Sequence, residues 1–237
     1  MHTLVLIAGA WHGAWCWKKL VPLLESRGIR VLTPDLPATG ADASDPASVT
    51  LESWARFVAD VVSAEPGPVS LAGHSRGGIV ISRAAELVPD RLRRLVYVSG
   101  YLLAAGGTLA EAARDDRDSL VPPNMIPAAG GVTCSLRQSV IREALYGRCT
   151  QADYEYGLAR LSPEPLKPLV TPLKVTEQRF GRVPRAYIEC SDDRTITLAA
   201  QRRMQAALPC DPVFTLDADH SPFFSQPEAL VRLLGGL

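Results

Sequence analysis

The stretch VSLAGHSRGGIVISRAAELV, residues 69–88, decides the fold class of this chain. It begins as an apolar, β-rich run, tightens into glycines around a serine, and continues with helical periodicity. The pentapeptide GHSRG, centred on Ser75, matches G-x-S-x-G between a predicted strand and a predicted helix. So sharp a turn strains the backbone of its central residue, and the flanking glycines avoid collisions with the strand and helix. The stretch therefore predicts that Ser75 stands exposed as a nucleophile.

Short β-rich runs and longer amphipathic segments alternate on both sides of this stretch. Strands are predicted over residues 3–9, 29–36, 68–73, 91–100, 184–191 and 212–218. Helices are predicted over residues 14–28, 51–65, 76–88, 197–208 and 227–237, with Thr50 as the N-cap of the second. The strands are near-continuous runs of Val, Ile and Leu, which is typical of a parallel sheet covered on both faces. The alternation predicts an α/β fold with a doubly wound, mostly parallel sheet.

This alternation stops between residues 101 and 182, where prolines cluster and two helical stretches, 136–146 and 151–161, remain. A segment of that length is rarely without structure in a compact domain. We therefore predict a mostly helical cap over residues 101–182, inserted into a core formed by residues 1–100 and 183–237.

Composition narrows the classes of partner and the compartment. The 237 residues are 47% hydrophobic, which suits one compact domain. The 25 basic and 25 acidic residues balance without a basic block, which argues against nucleic acid or a membrane surface as partner. The N-terminal run lacks a basic leader and a cleavage pattern, so no signal peptide is predicted. Five scattered cysteines without a CxxC pair predict reduced thiols in a cytoplasm and no metal site.

A serine hydroxyl is a poor nucleophile unless a base takes its proton, and histidine is the usual base. The chain has four histidines, and His220 follows the last predicted strand in DADHSPFF. A loop there can return over the C-terminal edge of the sheet, so His220 is the best candidate for the general base. The others are less suited, because His2 is terminal, His12 lies in the first loop and His74 lies inside the turn.

The histidine in turn needs an acid that fixes its tautomer and stabilises its cation. The segment ECSDDRTI follows the penultimate predicted strand and offers Asp192 and Asp193. The order serine, aspartate, histidine is that of nucleophile-elbow hydrolases. We favour Asp193, with Asp192 as the alternative. Asp217 and Asp219 are too close to His220 in sequence, and we expect them to shape its loop.

An oxyanion hole requires two backbone N–H groups near the nucleophile. We assign one to Arg76, the residue after the serine, and the other to Ala10 in the loop after the first strand. A plain strand-to-helix turn is the alternative for that loop. The pocket is predicted between the cap and the sheet edge, and the alternative for each lining residue is the apolar core. The predicted lining residues are Trp11, Tyr101, Leu102, Met125, Phe180 and Phe223.

At these residues the chain resembles α/β-hydrolases of the branch that contains plant methylesterases, hydroxynitrile lyases and bacterial esterases. Three blocks carry the resemblance: GAWHGAWCWKKL, GHSRGG and YIECSDDRTI with the later DADH. It covers both ends of the core, and the cap has no matching motif. The resemblance implies the α/β-hydrolase fold, a catalytic triad of Ser75, Asp193 and His220, and oxyanion N–H groups from Ala10 and Arg76.

Departures from the family pattern narrow the chemistry. Ala8-Gly9 replaces the usual His-Gly dipeptide, so hydrogen bonding in the first loop is expected to differ. Ser221 stands where the lyases have a lysine and Gly9 where they have a threonine, which argues against cyanide release. Arg76 replaces a more usual apolar residue. Its side chain could hold an acidic cap residue or a substrate carboxylate, or lie solvated at the helix start.

We expect a serine hydrolase that cleaves carboxylic esters of small to medium, partly apolar substrates through an acyl-enzyme, without a cofactor. Two alternatives stay open. One is a biosynthetic hydrolase, cyclase or lactonase for a polyketide-like acyl chain, and the other is a non-catalytic protein that binds a small molecule. The sequence leaves homodimer formation open.

Overall fold

The structure is a computed structural model and describes residues 2–237. Within that range the strands are β1 His2–Ile7, β2 Ile29–Leu32, β3 Val69–His74, β4 Leu92–Val98, β5 Met125–Pro127, β6 Thr133–Leu136, β7 Glu164–Pro165, β8 Arg185–Cys190 and β9 Val213–Leu216. The α-helices are α1 Leu20–Glu25, α2 Leu51–Ala64, α3 Gly77–Leu87, α4 Leu109–Arg114, α5 Gln138–Tyr146, α6 Gln151–Leu158, α7 Leu198–Ala207, α8 Pro222–Ser225 and α9 Pro227–Gly235. None of these helices is long and apolar enough to cross a bilayer.

The central sheet has six strands in the order β2-β1-β3-β4-β8-β9, and every neighbouring pair is parallel. Its two faces bury alternate residues, so Val5 and Ile7 pack in one apolar core while Leu4 and Leu6 pack in the other. Helices α2 and α3 cover the first face, and α1 and α9 cover the second. The predicted doubly wound α/β fold is therefore confirmed, and the carboxyl ends of the strands meet at one edge.

Helix α2 shows how local sequence fixes an element. The Thr50 side chain accepts a hydrogen bond of 3.0 Å from the Ser53 N–H, and the Ser53 hydroxyl accepts one of 2.9 Å from the Thr50 N–H. This reciprocal capping satisfies two N–H groups at the start of the helix. Trp54, Val58 and Val62 repeat every four residues and are buried against the sheet. The predicted N-cap at Thr50 is confirmed.

The segment from 101 to 182 differs from the expectation of a mostly helical cap. It contains α4, α5 and α6, but also a small antiparallel sheet in the order β5-β6-β7. These strands are two to four residues long, and two of them end in proline, so no periodicity could reveal them. The division into a core and a cap at residues 101 and 182 stays a prediction.

The first predicted helix, residues 14–28, is also corrected. Ala14–Lys19 forms a 3₁₀-helix, and α1 covers only Leu20–Glu25. Pro22 lacks an N–H and its ring excludes a regular helical turn before it, so the α-helix can begin only shortly upstream. The chain leaves this helix through Gly28 at φ +77°, a conformation that favours glycine.

Candidate active site

Ser75 occupies a sharp turn between the end of β3 and the start of α3. Its φ of +51° lies in the left-handed region, which is strained for a residue with a side chain. The turn is crowded, since a Cβ on Gly73 would lie 2.6 Å from the Gly77 carbonyl oxygen. The same atom on Gly78 would lie 2.4 Å from the Tyr101 carbonyl oxygen. Ser75 is only 4% exposed and lines a cavity. The prediction that Ser75 stands exposed is therefore corrected, because its surroundings bury it below the surface.

His220 and Asp193 meet at the carboxyl edge of the sheet. The Nδ1 atom of His220 lies 2.6 Å from Oδ2 of Asp193, and both residues are buried. The Ser99 hydroxyl donates to the same oxygen at 2.5 Å, while the N–H groups of Thr195 and Ile196 donate to Oδ1 at 2.6 and 2.8 Å. These donors hold the carboxylate in one orientation. With Nδ1 donating to Asp193, the Nε2 atom of His220 is left as the acceptor.

Neighbouring side chains hold the loop that carries His220. The main-chain carbonyl of His220 accepts a hydrogen bond of 2.7 Å from Nε2 of His74, the residue before Ser75. Burial lowers the pKa of His74, so the ring is neutral and its one proton lies on Nε2. Asp219 accepts from the Ser225 hydroxyl at 2.6 Å and from the Arg148 N–H at 2.9 Å. Asp219 therefore shapes this loop.

The exposed aspartates behave differently from Asp193. Asp192 is exposed, and the carboxylate that contacts the His220 ring is that of Asp193. Asp217 is also exposed and forms an ion pair with Arg148. Of the acidic residues that the sequence offered, the structure brings Asp193 to His220.

The structure brings His220 and Asp193 together, but no hydrogen bond joins Ser75 to His220 within residues 2–237. The Ser75 hydroxyl makes no hydrogen bond to any residue in the described part of the chain. His74 connects the two regions, because its ring contacts the His220 backbone and lies 4.6 Å from the His220 ring, centroid to centroid. Catalytic hydrogen bonds of this kind often tighten only when substrate is bound.

His12 fixes the loop after β1. Its Nδ1 lies 2.8 Å from the Ala10 carbonyl oxygen and its Nε2 lies 2.7 Å from the Tyr146 hydroxyl. Burial lowers the pKa of His12 to about 3, so the ring is neutral. Nδ1 therefore donates to Ala10, and Nε2 accepts from Tyr146. The N–H groups of Ala10 and Arg76, the two predicted oxyanion donors, form no hydrogen bond within residues 2–237.

The Arg76 side chain holds an acidic residue of the 101–182 segment, the first of the roles left open by the sequence. Its Nε lies 2.9 Å from Oε1 of Glu164, and both side chains are 1% exposed. Its Nη2 donates to the Gly9 carbonyl at 3.0 Å, and its guanidinium lies 4.6 Å from the Trp54 ring centroid. The solvated arginine is therefore wrong, and the carboxylate partner that the structure shows is Glu164. Sequence reasoning missed Glu164, because one glutamate between two prolines carries no recognisable pattern.

A largely apolar cavity of about 140 Å³ opens beside Ser75. Of the predicted lining residues, Trp11, Tyr101 and Met125 line it. Leu102, Phe180 and Phe223 do not, and each is at most 2% exposed within an apolar core. Residues missed by the sequence complete the wall, chiefly Leu109, Ala113, Val121, Leu166, Leu169 and Thr195. Across the described residues no cluster of His, Cys, Asp or Glu is placed to hold a metal ion.

Comparisons with known proteins identify the family of this fold. The profile of the alpha/beta hydrolase family matches residues 4–233. A pyrethroid hydrolase from Sphingobium wenxiniae is 33% identical over 240 residues, covering 98% of this chain and 85% of that protein. The crystal structure of a methylesterase from Arabidopsis superposes with a TM-score of 0.87 at 25% identity, covering 99% of this chain and 97% of the other.

The chain therefore belongs to the α/β-hydrolase family, and the resemblance inferred from its motifs is confirmed. It spans only 55% of the length of a chloroplastic methylesterase, number 15 of Arabidopsis thaliana, that it matches at 29% identity.

Proposed function

We propose that this chain is a carboxylic ester hydrolase that works through Ser75, His220 and Asp193. The observation that carries the proposal is the buried contact of 2.6 Å between His220 Nδ1 and Asp193 Oδ2, together with a cavity lined by Ser75 and by Thr195, whose N–H donates to Asp193. The paired carboxylate fixes the imidazole tautomer and stabilises the cation formed when the ring takes a proton. Among the relatives are methylesterases, which are named for ester cleavage, and a pyrethroid hydrolase.

In the proposed reaction, His220 Nε2 takes the proton of the Ser75 hydroxyl as the oxygen attacks the acyl carbon. The carbonyl oxygen becomes an oxyanion, which the N–H groups of Ala10 and Arg76 bind. His220 then gives its proton to the departing alcohol and leaves an acyl-enzyme. Water, deprotonated by the same imidazole, attacks that ester, and the protonated His220 returns the proton to Ser75 as the acid departs.

The cavity favours a neutral substrate with a compact apolar group. A cavity of about 150 Å³ with an apolar lining holds one benzene ring, which is close to the volume found here. The wall is built mainly from aliphatic side chains and from Trp11 and Tyr101. We therefore propose esters with an acyl or alcohol part about the size of a phenyl group.

The test is hydrolysis of p-nitrophenyl acetate and phenyl acetate by the purified chain and by Ser75→Ala. We expect the substitution to abolish turnover and the initial burst of p-nitrophenol. Ser70→Ala is the matched control, because Ser70 lies on β3, the strand that leads to Ser75, is buried and makes no hydrogen bond through its hydroxyl. Equal activity in Ser75→Ala would overturn the proposal. Tight binding of esters without turnover by the wild-type chain would instead favour a binding protein, and turnover of lactones alone would favour the lactonase alternative.

A further inference from the structure

The peptide unit between Gly9 and Ala10 is contacted by a charged side chain. Its carbonyl oxygen belongs to Gly9 and accepts a hydrogen bond of 3.0 Å from Nη2 of Arg76. Its N–H belongs to Ala10 and is the group assigned above to the oxyanion. A peptide whose carbonyl accepts a charge-assisted hydrogen bond is polarised, which makes its N–H a stronger donor. The Arg76 guanidinium is thus placed to strengthen an oxyanion donor that it does not itself form.

Burial makes this arrangement depend on a counter-charge. Arg76 and Glu164 are each 1% exposed, and an unpaired charge at such depth is strongly destabilising. Glu164 Oε1 lies 2.9 Å from Arg76 Nε, and its Oε2 accepts a hydrogen bond of 3.0 Å from the Trp11 N–H. One carboxylate therefore fixes both the guanidinium and the peptide that follows Ala10.

Trp11 is held by the 101–182 segment at each of its polar groups. Its N–H donates to Glu164, its carbonyl accepts from the Ser162 N–H at 3.0 Å, and its indole Nε1 donates to the Cys134 carbonyl at 3.2 Å. The φ of Trp11 is +64°, which a tryptophan adopts only when its surroundings impose it. The loop that carries the Ala10 N–H is thus held by the 101–182 segment as well as by His12 within the loop.

We propose that Arg76 and Glu164 form a positioning pair for the oxyanion hole, with Arg76 polarising and orienting the Gly9–Ala10 peptide and Glu164 fixing Arg76. This inference rests on the proposed function and deepens it. No proton moves to or from either side chain. Because the oxyanion exists only in the transition state and the tetrahedral intermediates, the pair acts on kcat rather than on substrate binding.

The experiment uses Arg76→Met, which keeps the backbone N–H of residue 76, and Glu164→Gln, which keeps an acceptor for the Trp11 N–H. We expect kcat on phenyl acetate to fall about tenfold or more in each with KM nearly unchanged, less than the loss of a whole oxyanion donor. The double variant Arg76→Met/Glu164→Gln removes both buried charges together and keeps an acceptor for the Trp11 N–H, so it avoids the unpaired buried charge of a single variant. We expect it to be as slow as Arg76→Met.

Inhibition by two ketones distinguishes an effect of the variants on the oxyanion hole from a general loss of structure. Trifluoroacetophenone forms a tetrahedral adduct with an active serine, whereas acetophenone occupies the same space without one. The inhibition constant for trifluoroacetophenone should rise by the factor by which kcat/KM falls, and that for acetophenone should stay constant. Lys19→Met is the matched control, because the Lys19–Asp153 pair, at 2.8 Å, also joins the first loop region to the 101–182 segment without contacting the oxyanion loop.

The outcomes are distinguishable. If wild-type hydrolysis depends on Ser75 but the folded variants, the double variant included, keep kcat within about twofold of wild type, the inference is overturned. Equal weakening of both ketones would also overturn it. If no variant or wild-type chain hydrolyses esters, the proposed function fails, and the amide ¹⁵N shift of Ala10 still tests the contact. That shift should move in Arg76→Met and stay in Lys19→Met, and an unmoved shift in Arg76→Met would overturn the inference.

Discussion

His74 donates a hydrogen bond of 2.7 Å from Nε2 to the main-chain carbonyl of His220. The residue before the proposed nucleophile therefore sets the position of the proposed base, although 146 positions separate the two in sequence. Phe223 packs edge-on against the His74 ring, with centroids 5.2 Å apart, and leaves the ring little freedom to turn. The turn at Ser75 and the loop at His220 are thus joined through one buried imidazole.

Substitution of His74 tests this connection. His74→Phe removes the donor to the His220 carbonyl, so the loop loses a buried hydrogen bond. The proposed base is then no longer held in its position relative to Ser75. We expect kcat to fall at least about tenfold, since a displacement near 1 Å can cost more than that. His74→Gln, which retains an N–H donor, should recover part of the rate in the same steady-state assay. Equal rates for wild type and His74→Phe would show that the bond does not position His220.

The two neighbouring aspartates allow a matched comparison. Asp193→Asn keeps the shape of the side chain but removes the charge that stabilises a protonated His220, and it favours the wrong imidazole tautomer. We expect kcat to fall by about 10³–10⁴-fold. Asp192→Asn changes an exposed carboxylate, whereas the His220 ring is paired with Asp193, and its kcat should match that of the wild type. A large effect at Asp192 with none at Asp193 would reverse the assignment.

Acid should destabilise the fold through His12. Its pKa falls from 6.5 in the unfolded chain to about 3 in the fold, because burial disfavours the cation and His220 and Arg76 lie nearby. Above the unfolded pKa both states are neutral and His12 contributes nothing. As the pH drops below it, the unfolded chain binds a proton that the folded chain does not, so stability is lost progressively down to the folded pKa.

The size of this effect follows from the pKa difference. Between pH 6.5 and pH 5, protonation of His12 in the unfolded chain lowers the free energy of unfolding by about 2 kcal/mol, at 1.36 kcal/mol per pH unit. Burial also lowers the pKa of His74, so His74 adds to the pH dependence of stability. Urea titrations across this pH range should show that the free energy of unfolding falls less steeply with decreasing pH in His12→Gln than in wild type. The same pH dependence in both proteins would mean that His12 is protonated in the folded state.

Space at the nucleophile turn predicts a stability difference between two glycines. A Cβ at position 78 would lie 2.4 Å from the Tyr101 carbonyl oxygen, whereas nothing lies within 4 Å of one at Gly67. Gly78→Ala gains helix propensity in α3, but backbone must move to admit the methyl group. We expect a net loss of about 1–3 kcal/mol in the free energy of unfolding, as for other overpacked sites. Gly67→Ala should change the urea midpoint little, and comparable losses at both positions would contradict the argument.

The sequence predicted the parts of the molecule that repeat a local pattern. The runs of Val, Ile and Leu marked the buried parallel strands, and the glycines around Ser75 marked the turn. The pairing of Asp193 with His220 was predicted from the position of each after a strand. Each of these depends on chain order and on the rule that parallel strands end at one edge.

What the sequence left out depends on tertiary contacts between distant segments. Glu164 meets Arg76 across 88 positions of sequence, and the cavity wall at Leu109 and Val121 comes from a region without a clear period. Phe180 and Phe223 were predicted at the cavity because aromatic residues serve equally in pockets and in cores. The depth at which a side chain is packed decides between those roles, and no local pattern encodes it.

The pairing of Arg76 with Glu164 also bears on how a reaction cycle ends. Arg76, the charged residue in the cavity wall, already has the Glu164 carboxylate as its counter-ion, so the largely apolar cavity offers a free carboxylate no unneutralised cation. In an ester hydrolase, a neutral substrate enters and an acid leaves, and the acid ionises as soon as it reaches water at neutral pH. An anion is poorly accommodated in such surroundings. In the proposed reaction, turnover therefore converts a neutral ester, which the apolar cavity binds, into an anion, which it binds poorly. The acid product should be only a weak competitive inhibitor.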